Sequence, residues 1–176
     1  YSPEDKDSMA ARLAALGVLG KKGSKFIPGC YLRASVSQRR ELLAGLLDTD
    51  GYVSARGSVV FCQMSERIAR GVLELVRSLG FKAHWAEKRA KLRGRDVGAV
   101  YKVTFTPHEP VFRLPRKLAA QRIVCPPGSK ATERYIVRAT LVESAPTRCI
   151  RVSSPDHTFL ATRDYTVTHN CERTGA

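Results

Sequence analysis

The stretch LAGLLDTDG, residues 43–51, decides the fold of this chain. It ends a helix predicted over residues 38–50, in which apolar positions recur at helical spacing and which stops at Gly51. Ala44 and Gly45 are small residues on one face of that helix, so a second helix can approach it closely. The pattern predicts that this helix packs against a copy of itself.

Two carboxylates, Asp48 and Asp50, lie in the last turn of the predicted helix. A helix C-terminus carries partial negative charge, so two anions there are unfavourable unless something positive lies nearby. A divalent cation would offset that cost, and hard oxygen ligands suit Mg²⁺. The residues alone leave two interpretations open: a metal site, or a local hydrogen bond from Asp48 within the turn.

Outward from this helix, the elements predicted between residues 38 and 121 follow the order α-β-β-α-β-β-α. Trp85 is expected in the core rather than as a stacking platform. The elements predicted between residues 38 and 121 are a helix over 38–50, a hairpin over 52–63 and a helix over 66–79. They continue with strands over 81–87 and 99–105, a basic loop over 88–96 between those strands, and a short helix near 114–121. Upstream, residues 5–19 predict another short helix.

A second region follows a boundary placed near residues 122–132, where CPPGSK reads as a linker. From about Glu133 onward the sequence is strand-like, with segments over 134–144, 147–154, 157–162 and 164–170. The chain as a whole is therefore predicted to be α+β, with an all-β C-terminal part.

The charge balance points to a polyanionic partner. Thirty Lys and Arg stand against sixteen Asp and Glu, a formal net charge of +14. Nucleic acid is the first interpretation, because phosphates bind Lys and Arg and release counterions; a basic but inert surface is the alternative. The five cysteines contain no C-x-x-C, which favours a reducing cytosol over a zinc site or disulfide framework. No signal peptide or transmembrane run is visible, so we expect a cytoplasmic location and no membrane partner.

LAGLLDTDG resembles the LAGLIDADG motif of DOD-type homing endonucleases, and the element order resembles half of that fold over residues 1 to about 122. The resemblance implies a saddle of strands over the DNA major groove, and motif helices of two halves packed at the centre. It assigns metal binding to the last acidic residue, here Asp50, with Mg²⁺ as cofactor for double-strand cleavage. Because one motif is present and the family cuts with two, this chain alone is expected to be inactive. The alternative is a DNA-binding module on a degenerate scaffold.

Further residues follow from the same resemblance. KFIP at residues 25–28 resembles the K-x-I-P element between the two motifs, which implies a functional Lys25; a solvated turn lysine is the alternative. Lys117, in LPRKL, is a second candidate active-site lysine. The candidate DNA contacts are Lys82, Lys88, Arg89, Lys91, Arg93, Arg95, Lys102 and Lys117.

His169, Asn170 and Cys171 carry a second chemistry. An Asn side chain can cyclise onto its own carbonyl and cut the following bond, a neighbouring His can assist, and a following Cys can act as nucleophile. Residues 148–171 resemble the final motifs of inteins, which implies a Hint-type splicing segment in which His157 assists cyclisation. Turn hydrogen bonding is the alternative for His157.

The pair Cys149 and Thr168 resembles class 3 inteins, in which an internal Cys attacks the upstream splice junction. A small hydrophobe in a strand is the alternative for Cys149. The tryptophan of the class 3 signature is expected upstream of this chain, since Trp85 lies in the endonuclease. Splicing of this kind needs no cofactor.

The resemblance divides the chain into four parts. Residues 1–37 are the tail of a first endonuclease half with its linker element, 38–125 the second half, 133–170 the splicing segment and 171–176 the start of the C-extein. The sequence is thus expected to be an excised segment, the C-terminal portion of an intein. Its expected partners are duplex DNA, the missing N-terminal intein region with the first half, and a host such as a replicative helicase or another nucleotide-handling protein.

Overall fold

The computed structural model describes residues 8–20, 23–121, 135–148 and 150–170. The chain forms two compact units, Tyr1–Ala131 and Thr132–Ala176. The first unit contains five helices and four strands within its described residues: α1 (Met9–Ala15), α2 (Gly29–Leu32), α3 (Val36–Asp50), β1 (Gly51–Val53), β2 (Val59–Gln63), α4 (Glu66–Ser78), β3 (Ala83–Leu92), β4 (Arg95–Phe105) and α5 (Pro115–Ala120). From α3 to α5 the order is α-β-β-α-β-β-α, as predicted. The mixed α+β class, with antiparallel sheets, is confirmed.

The four strands of the first unit form one antiparallel sheet in the order β1-β2-β4-β3. Its core lies between α3, α4 and the sheet face that carries Phe61, Val103 and Phe105, each at most 2% exposed. Residues paired across strands lie on the same face, so Lys102, opposite Cys62 and Ala86, belongs to the other face. The sheet therefore has one face that packs against α3 and α4 and a second face, which carries Lys102.

Helix α3 begins earlier than predicted because a capping box precedes it. The Ser35 hydroxyl accepts from the Gln38 backbone N–H, and the Gln38 side chain accepts from the Ser35 backbone N–H. Leu43 and Leu47 are 1% and 0% exposed, so the leucine spacing does identify the buried face. The helix ends at Gly51, whose backbone lies so close to Leu47 that a Cβ would stand 2.6 Å from the Leu47 carbonyl oxygen.

The loop predicted over residues 88–96 is wrong. Strands β3 and β4 continue through it and join at Arg93 and Gly94, which have φ of 50° and 81°. Positive φ at both central residues suits a two-residue hairpin turn whose twist matches the strands. The strands were missed because their charged, exposed ends show no apolar alternation; they are held by mutual backbone pairing, which a pattern of side chains does not report.

Helix α4 begins and ends close to its predicted bounds. The Ser65 hydroxyl accepts from the Ile68 N–H, and the chain leaves the helix through Gly80 at φ 86°. Helix α1 is shorter than predicted, seven residues capped by Ser8. None of the helices in the described parts of the chain is long and apolar enough to cross a membrane.

The second unit contains one hairpin within its described residues, β5 (Thr158–Ala161) paired antiparallel with β6 (Thr166–His169). The strands predicted over 134–144 and 147–154 are not formed at residues 135–148 and 150–154, where Ile136, Val137 and Leu141 are more than 90% exposed. Alternation of apolar residues indicates which face a strand would bury, but a strand also needs a neighbour for its backbone hydrogen bonds.

Candidate functional site

Asp50 is the last residue of α3, and its side chain is exposed beside the end of β2. Its Oδ2 accepts a hydrogen bond from the Gln63 Nε2 over 3.2 Å. The Gln63 Oε1 in turn accepts from the Met64 backbone N–H over 2.9 Å, which directs the amide nitrogen toward Asp50. Sequence reasoning missed Gln63. The predicted hairpin placed it at a strand end, but only the paired strands bring that end back to the helix terminus.

Asp48 serves a different purpose from Asp50. Both of its carboxylate oxygens lie 3.2 Å from the backbone nitrogens of Arg113 and Leu114, just before α5. Asp48 is therefore a hydrogen-bond acceptor, as one of the two interpretations predicts. Its donors do not lie within the helix turn, however, but 65 and 66 residues away. Asp48 stabilises the approach to α5.

Lys117 lies 9% exposed, with its ammonium directed at the end of α3. The Nζ donates to the carbonyl oxygens of Leu47, Asp48 and Gly51 over 2.9, 2.8 and 2.6 Å. A cation at this position offsets the negative end of the helix. Lys117 is predicted from the sequence as a DNA contact at the surface. In the structure its three N–H donors are directed inward at the end of α3.

The metal hypothesis can be weighed against these neighbours. Among the described residues, no group of three or more His, Cys, Asp or Glu side chains could hold a metal ion. Asp50 therefore offers one carboxylate. Mg²⁺ characteristically keeps several waters and binds through one or two carboxylates together with substrate phosphates. The donor set fits a cation shared with a nucleic-acid backbone and does not fit a site closed by this chain.

Lys25 is exposed, in a segment that is anchored by the residues after it. The Arg67 guanidinium lies 4.0 Å from the Phe26 ring centroid. Ile27 packs against the core, where it would contact a Cβ at Gly71 at 3.1 Å, and Pro28 is buried as the residue before α2. The KFIP element thus holds the chain to α4 and leaves its lysine in solvent.

The basic residues predicted to contact DNA are distributed over both faces of the sheet. Lys88 and Lys102 lie on the face opposite α3 and α4, by their pairing with Val100 and Cys62. Arg89 donates to Asp96 over 2.8 Å; this hydrogen bond raises the pKa of Arg89 and lowers that of Asp96. Lys82, Lys91, Arg93 and Arg95 are exposed, the last three around the hairpin tip.

Trp85 lies on the helix-packed face, as predicted for a core residue. It stacks on Tyr101 with ring centroids 5.4 Å apart, and the Arg70 guanidinium lies 5.0 Å from its ring centroid. A tryptophan enclosed between a helix and a neighbouring strand does not present a face to a nucleic-acid base.

The hairpin of the second unit brings together His157, His169 and Asn170. The Asn170 N–H donates to the His157 carbonyl over 3.0 Å, and the two imidazole centroids are 6.0 Å apart in an edge-to-face arrangement. The Asn170 Oδ1 is buried and has no hydrogen-bond partner within the described residues. Thr168, half-buried in β6, pairs with Phe159. Cys149 and Cys171 lie outside the described residues.

The turn before β5 is organised by Asp156. Its carboxylate accepts from the Ser154 hydroxyl, the Thr158 hydroxyl at 2.7 Å and the Thr158 N–H at 3.2 Å. These bonds, that from Ser154 first, lower the pKa of Asp156 to about 2. They flank His157, which adopts a left-handed φ of 53°, a conformation that non-glycine residues rarely take unless the surroundings impose it.

Comparison with known proteins covers both parts of the chain. The family model described as homing endonuclease matches residues 27–122, more than half of the chain. The replicative DNA helicase DnaB of Mycobacterium intracellulare is 41% identical over 164 residues. That alignment covers 93% of this chain and 28% of the relative, so the chain spans little more than a quarter of the length of the protein it matches.

Proposed function

The chain belongs to the homing endonuclease family, and from that premise we propose that its first unit is one LAGLIDADG half of a DNA-cleaving enzyme in which Asp50 is the metal ligand. Family membership implies a DNA hydrolase. One observation carries the finer proposal: the motif helix α3 ends with the Asp50 carboxylate exposed, while Asp48, two residues earlier, is engaged by backbone amides. The two acids of the motif are thereby separated into a structural and an available one.

The residues around Asp50 define what this half contributes to cleavage. Asp50 would hold Mg²⁺ together with phosphate oxygens, and the Gln63 amide keeps the carboxylate oriented through its bond to Oδ2. When bound, the cation would supply charge stabilisation at the scissile phosphate. The face with Lys88 and Lys102 would track the duplex backbone, where Lys and Arg contacts position the protein.

Cutting the second DNA strand needs a second carboxylate. In this family the motif of the other half supplies it. We therefore test the proposal with the first LAGLIDADG half supplied, either as the longer protein or in trans. Asp50→Asn should bind duplex DNA as the unmodified protein does and lose Mg²⁺-dependent cutting of one strand. Undiminished cutting by Asp50→Asn removes this residue from the site. If the unmodified, completed protein binds but never cuts, the chain is the alternative, a DNA-binding module on a degenerate scaffold.

The second unit supports a second activity, the final steps of protein splicing. The observation in its favour is the β5–β6 hairpin. In it the Asn170 N–H donates to the His157 carbonyl, and the His157 and His169 ring centroids lie 6.0 Å apart. In the proposed step the Asn170 Nδ2 bonds to the Asn170 carbonyl carbon and the Asn170–Cys171 peptide bond breaks. Nδ2 loses a proton, the leaving amine gains one, and a succinimide remains. His157 and His169 would accept and donate these protons.

Three finer assignments belong to the same proposal. Cys149 would attack the upstream splice junction, in the manner of class 3 inteins, and Thr168 completes that signature within this chain. Cys171 would be the first extein residue and nucleophile. The host would be a replicative helicase, since the curated relative that aligns with 93% of the chain is named as one.

A further inference from the structure

Lys117 is the one buried charged side chain among the residues that the structure describes. The proposed cleavage reaction assigns it no role. We propose that Lys117 is a positioning residue: it fixes the C-terminal end of α3 and thereby orients the Asp50 carboxylate. The inference rests on the function proposed for Asp50. It assigns to Lys117 no contact with DNA, water or metal.

The hydrogen bonds of Lys117 account for all of its donors. An ammonium has three N–H groups, and here each has a carbonyl oxygen within 2.9 Å, those of Leu47, Asp48 and Gly51. A buried ammonium is costly unless its donors are matched and negative charge faces it. The matched donors indicate that this lysine is built into the fold.

The carbonyls that Lys117 binds flank Asp50 on both sides. Asp48 precedes Asp50 and Gly51 follows it, so the backbone is held immediately before and after the metal-binding residue. The last turn of α3 contains two acids and no basic residue. Its final carbonyls lack helical partners and carry partial negative charge. Lys117 supplies from α5 the cation that the helix itself lacks.

Asp48 returns the interaction. Its carboxylate accepts from the backbone nitrogens of Arg113 and Leu114, which lead into α5, at 3.2 Å. We call these hydrogen bonds, three from Lys117 and those from the Arg113 and Leu114 N–H groups to Asp48, the α3–α5 clamp. Because each element bonds the other, α3 cannot shift its end without breaking charged hydrogen bonds on both sides.

Gly51 offers a way to disturb the clamp without changing any charge. A Cβ at this position would lie 2.6 Å from the Leu47 carbonyl oxygen and 2.9 Å from the Leu47 Cα. Both neighbours are backbone atoms, so Gly51→Ala must move a carbonyl that Lys117 binds. This variant separates the effect of geometry from the effect of charge.

The sign of the effect on metal affinity distinguishes positioning from electrostatics. Removing a positive charge near a cation site, by itself, raises the affinity of that site for the cation. Loss of positioning lowers it, and partners that orient a ligand typically account for about tenfold or more in metal affinity. We therefore expect Lys117→Met to bind Mn²⁺ about tenfold more weakly at Asp50, against the direction that charge alone dictates.

The experiment is a Mn²⁺ titration of this chain bound to duplex DNA, which supplies the phosphate oxygens that the proposed site shares, and it is followed by paramagnetic broadening of the amide signals of residues 49–52. Mn²⁺ takes the same oxygen ligands as Mg²⁺ and is detectable at weak sites. The variants are Lys117→Met, Gly51→Ala and Asp50→Asn, with Arg33→Met as the control for loss of an exposed positive charge on the helix side. Hydrogen exchange of the Gly51 N–H, which donates to the Leu47 carbonyl, is measured in parallel without metal.

The inference is supported if Lys117→Met and Gly51→Ala both weaken Mn²⁺ binding and both speed exchange of the Gly51 N–H, while Arg33→Met matches the unmodified chain. It is overturned if folded Lys117→Met binds Mn²⁺ as tightly as the unmodified chain, or more tightly. Should Lys117→Met not fold, Gly51→Ala decides, and unchanged affinity and exchange in folded Gly51→Ala overturn the inference equally. If Asp50→Asn leaves broadening unaltered, the metal proposal fails; exchange of the Gly51 N–H then decides the clamp alone.

Discussion

The backbone N–H of Asn170 donates to the carbonyl oxygen of His157 over 3.0 Å, one residue beyond the last pair of the β5–β6 hairpin, Thr158 with His169. Residues thirteen apart in sequence are thereby held together at the base of the hairpin. Cyclisation of an asparagine is slow in ordinary chains because the amide nitrogen seldom lies near the carbonyl carbon, and positioning can supply several kcal/mol of the barrier, ~7 or more in well-oriented cases.

Asn170 should be indispensable for release of the residues that follow it. With the missing N-terminal splicing region added, mass spectrometry is expected to show loss of Cys171 to Ala176 and a succinimide at Asn170. Asn170→Ala should abolish that loss, because no side-chain amide remains to attack. Cys149→Ala should block upstream chemistry and leave some tail cleavage. Tail loss that continues in Asn170→Ala would contradict cyclisation.

Duplex DNA binding should depend steeply on salt and on the sheet face that carries Lys88 and Lys102. Each phosphate contact removed should reduce the slope of log K against log salt by about 0.9. Fluorescence anisotropy from low to moderate salt should show this reduction in Lys88→Ala and in Lys102→Ala. Arg33→Ala, whose partner is Glu74 on the helix side, should keep the original slope. An affinity that does not change with salt would exclude this face as a DNA interface.

Leu47→Ala should destabilise the first unit strongly. The side chain is 0% exposed between α3 and the sheet, and truncations of this kind cost about 2–5 kcal/mol through lost burial and the cavity left behind. Urea unfolding followed by fluorescence of Trp85, the single tryptophan, reports on this unit. Leu92→Ala, at a 65% exposed position on the hairpin tip, should change stability by less than about 0.5 kcal/mol. Equal effects of the two variants would contradict the assigned core.

Asp156 should stay ionised to unusually low pH. Its folded pKa is about 2, against an ordinary value of 3.8, because the Ser154 and Thr158 donors stabilise the carboxylate. The contribution of Asp156 to the hairpin is therefore complete above about pH 4 and is lost as the pH falls through about 2. A carboxyl NMR titration measures this directly, and Thr158→Val should move the midpoint upward. A midpoint near 3.8 in the unmodified chain would show that the turn bonds do not form.

Several sequence expectations depend on local chemistry, and the fold bears them out. The leucine spacing of α3, the bounds of α4 and the packing of Trp85 against the core each follow from the periodicity of side chains or from signals at the ends of a helix. The order of elements from α3 to α5 follows in the same way. Each of these features is determined by residues within a few positions of one another.

Other expectations went wrong where pairing partners matter more than pattern. The charged ends of β3 and β4 were taken for a loop, although the two strands pair with each other up to the turn at Arg93 and Gly94. The opposite error occurred at residues 135–148, where strand-like alternation is present and no strand forms. In both cases backbone hydrogen bonding decided the outcome, and side-chain alternation does not specify it.

The sequence by itself indicated which residues are candidates for chemistry: an acidic helix end at Asp50, a basic segment over residues 88–96, and an asparagine after a histidine. Only the tertiary structure decided how those residues are used. It bonded Asp48 to the approach of α5, turned Lys117 inward onto the end of α3 and set Gln63 against Asp50. The physical reason is that a hydrogen bond joins donors and acceptors that can lie nearly seventy residues apart. A local pattern shows which groups are available, and the packed chain alone shows which of them meet.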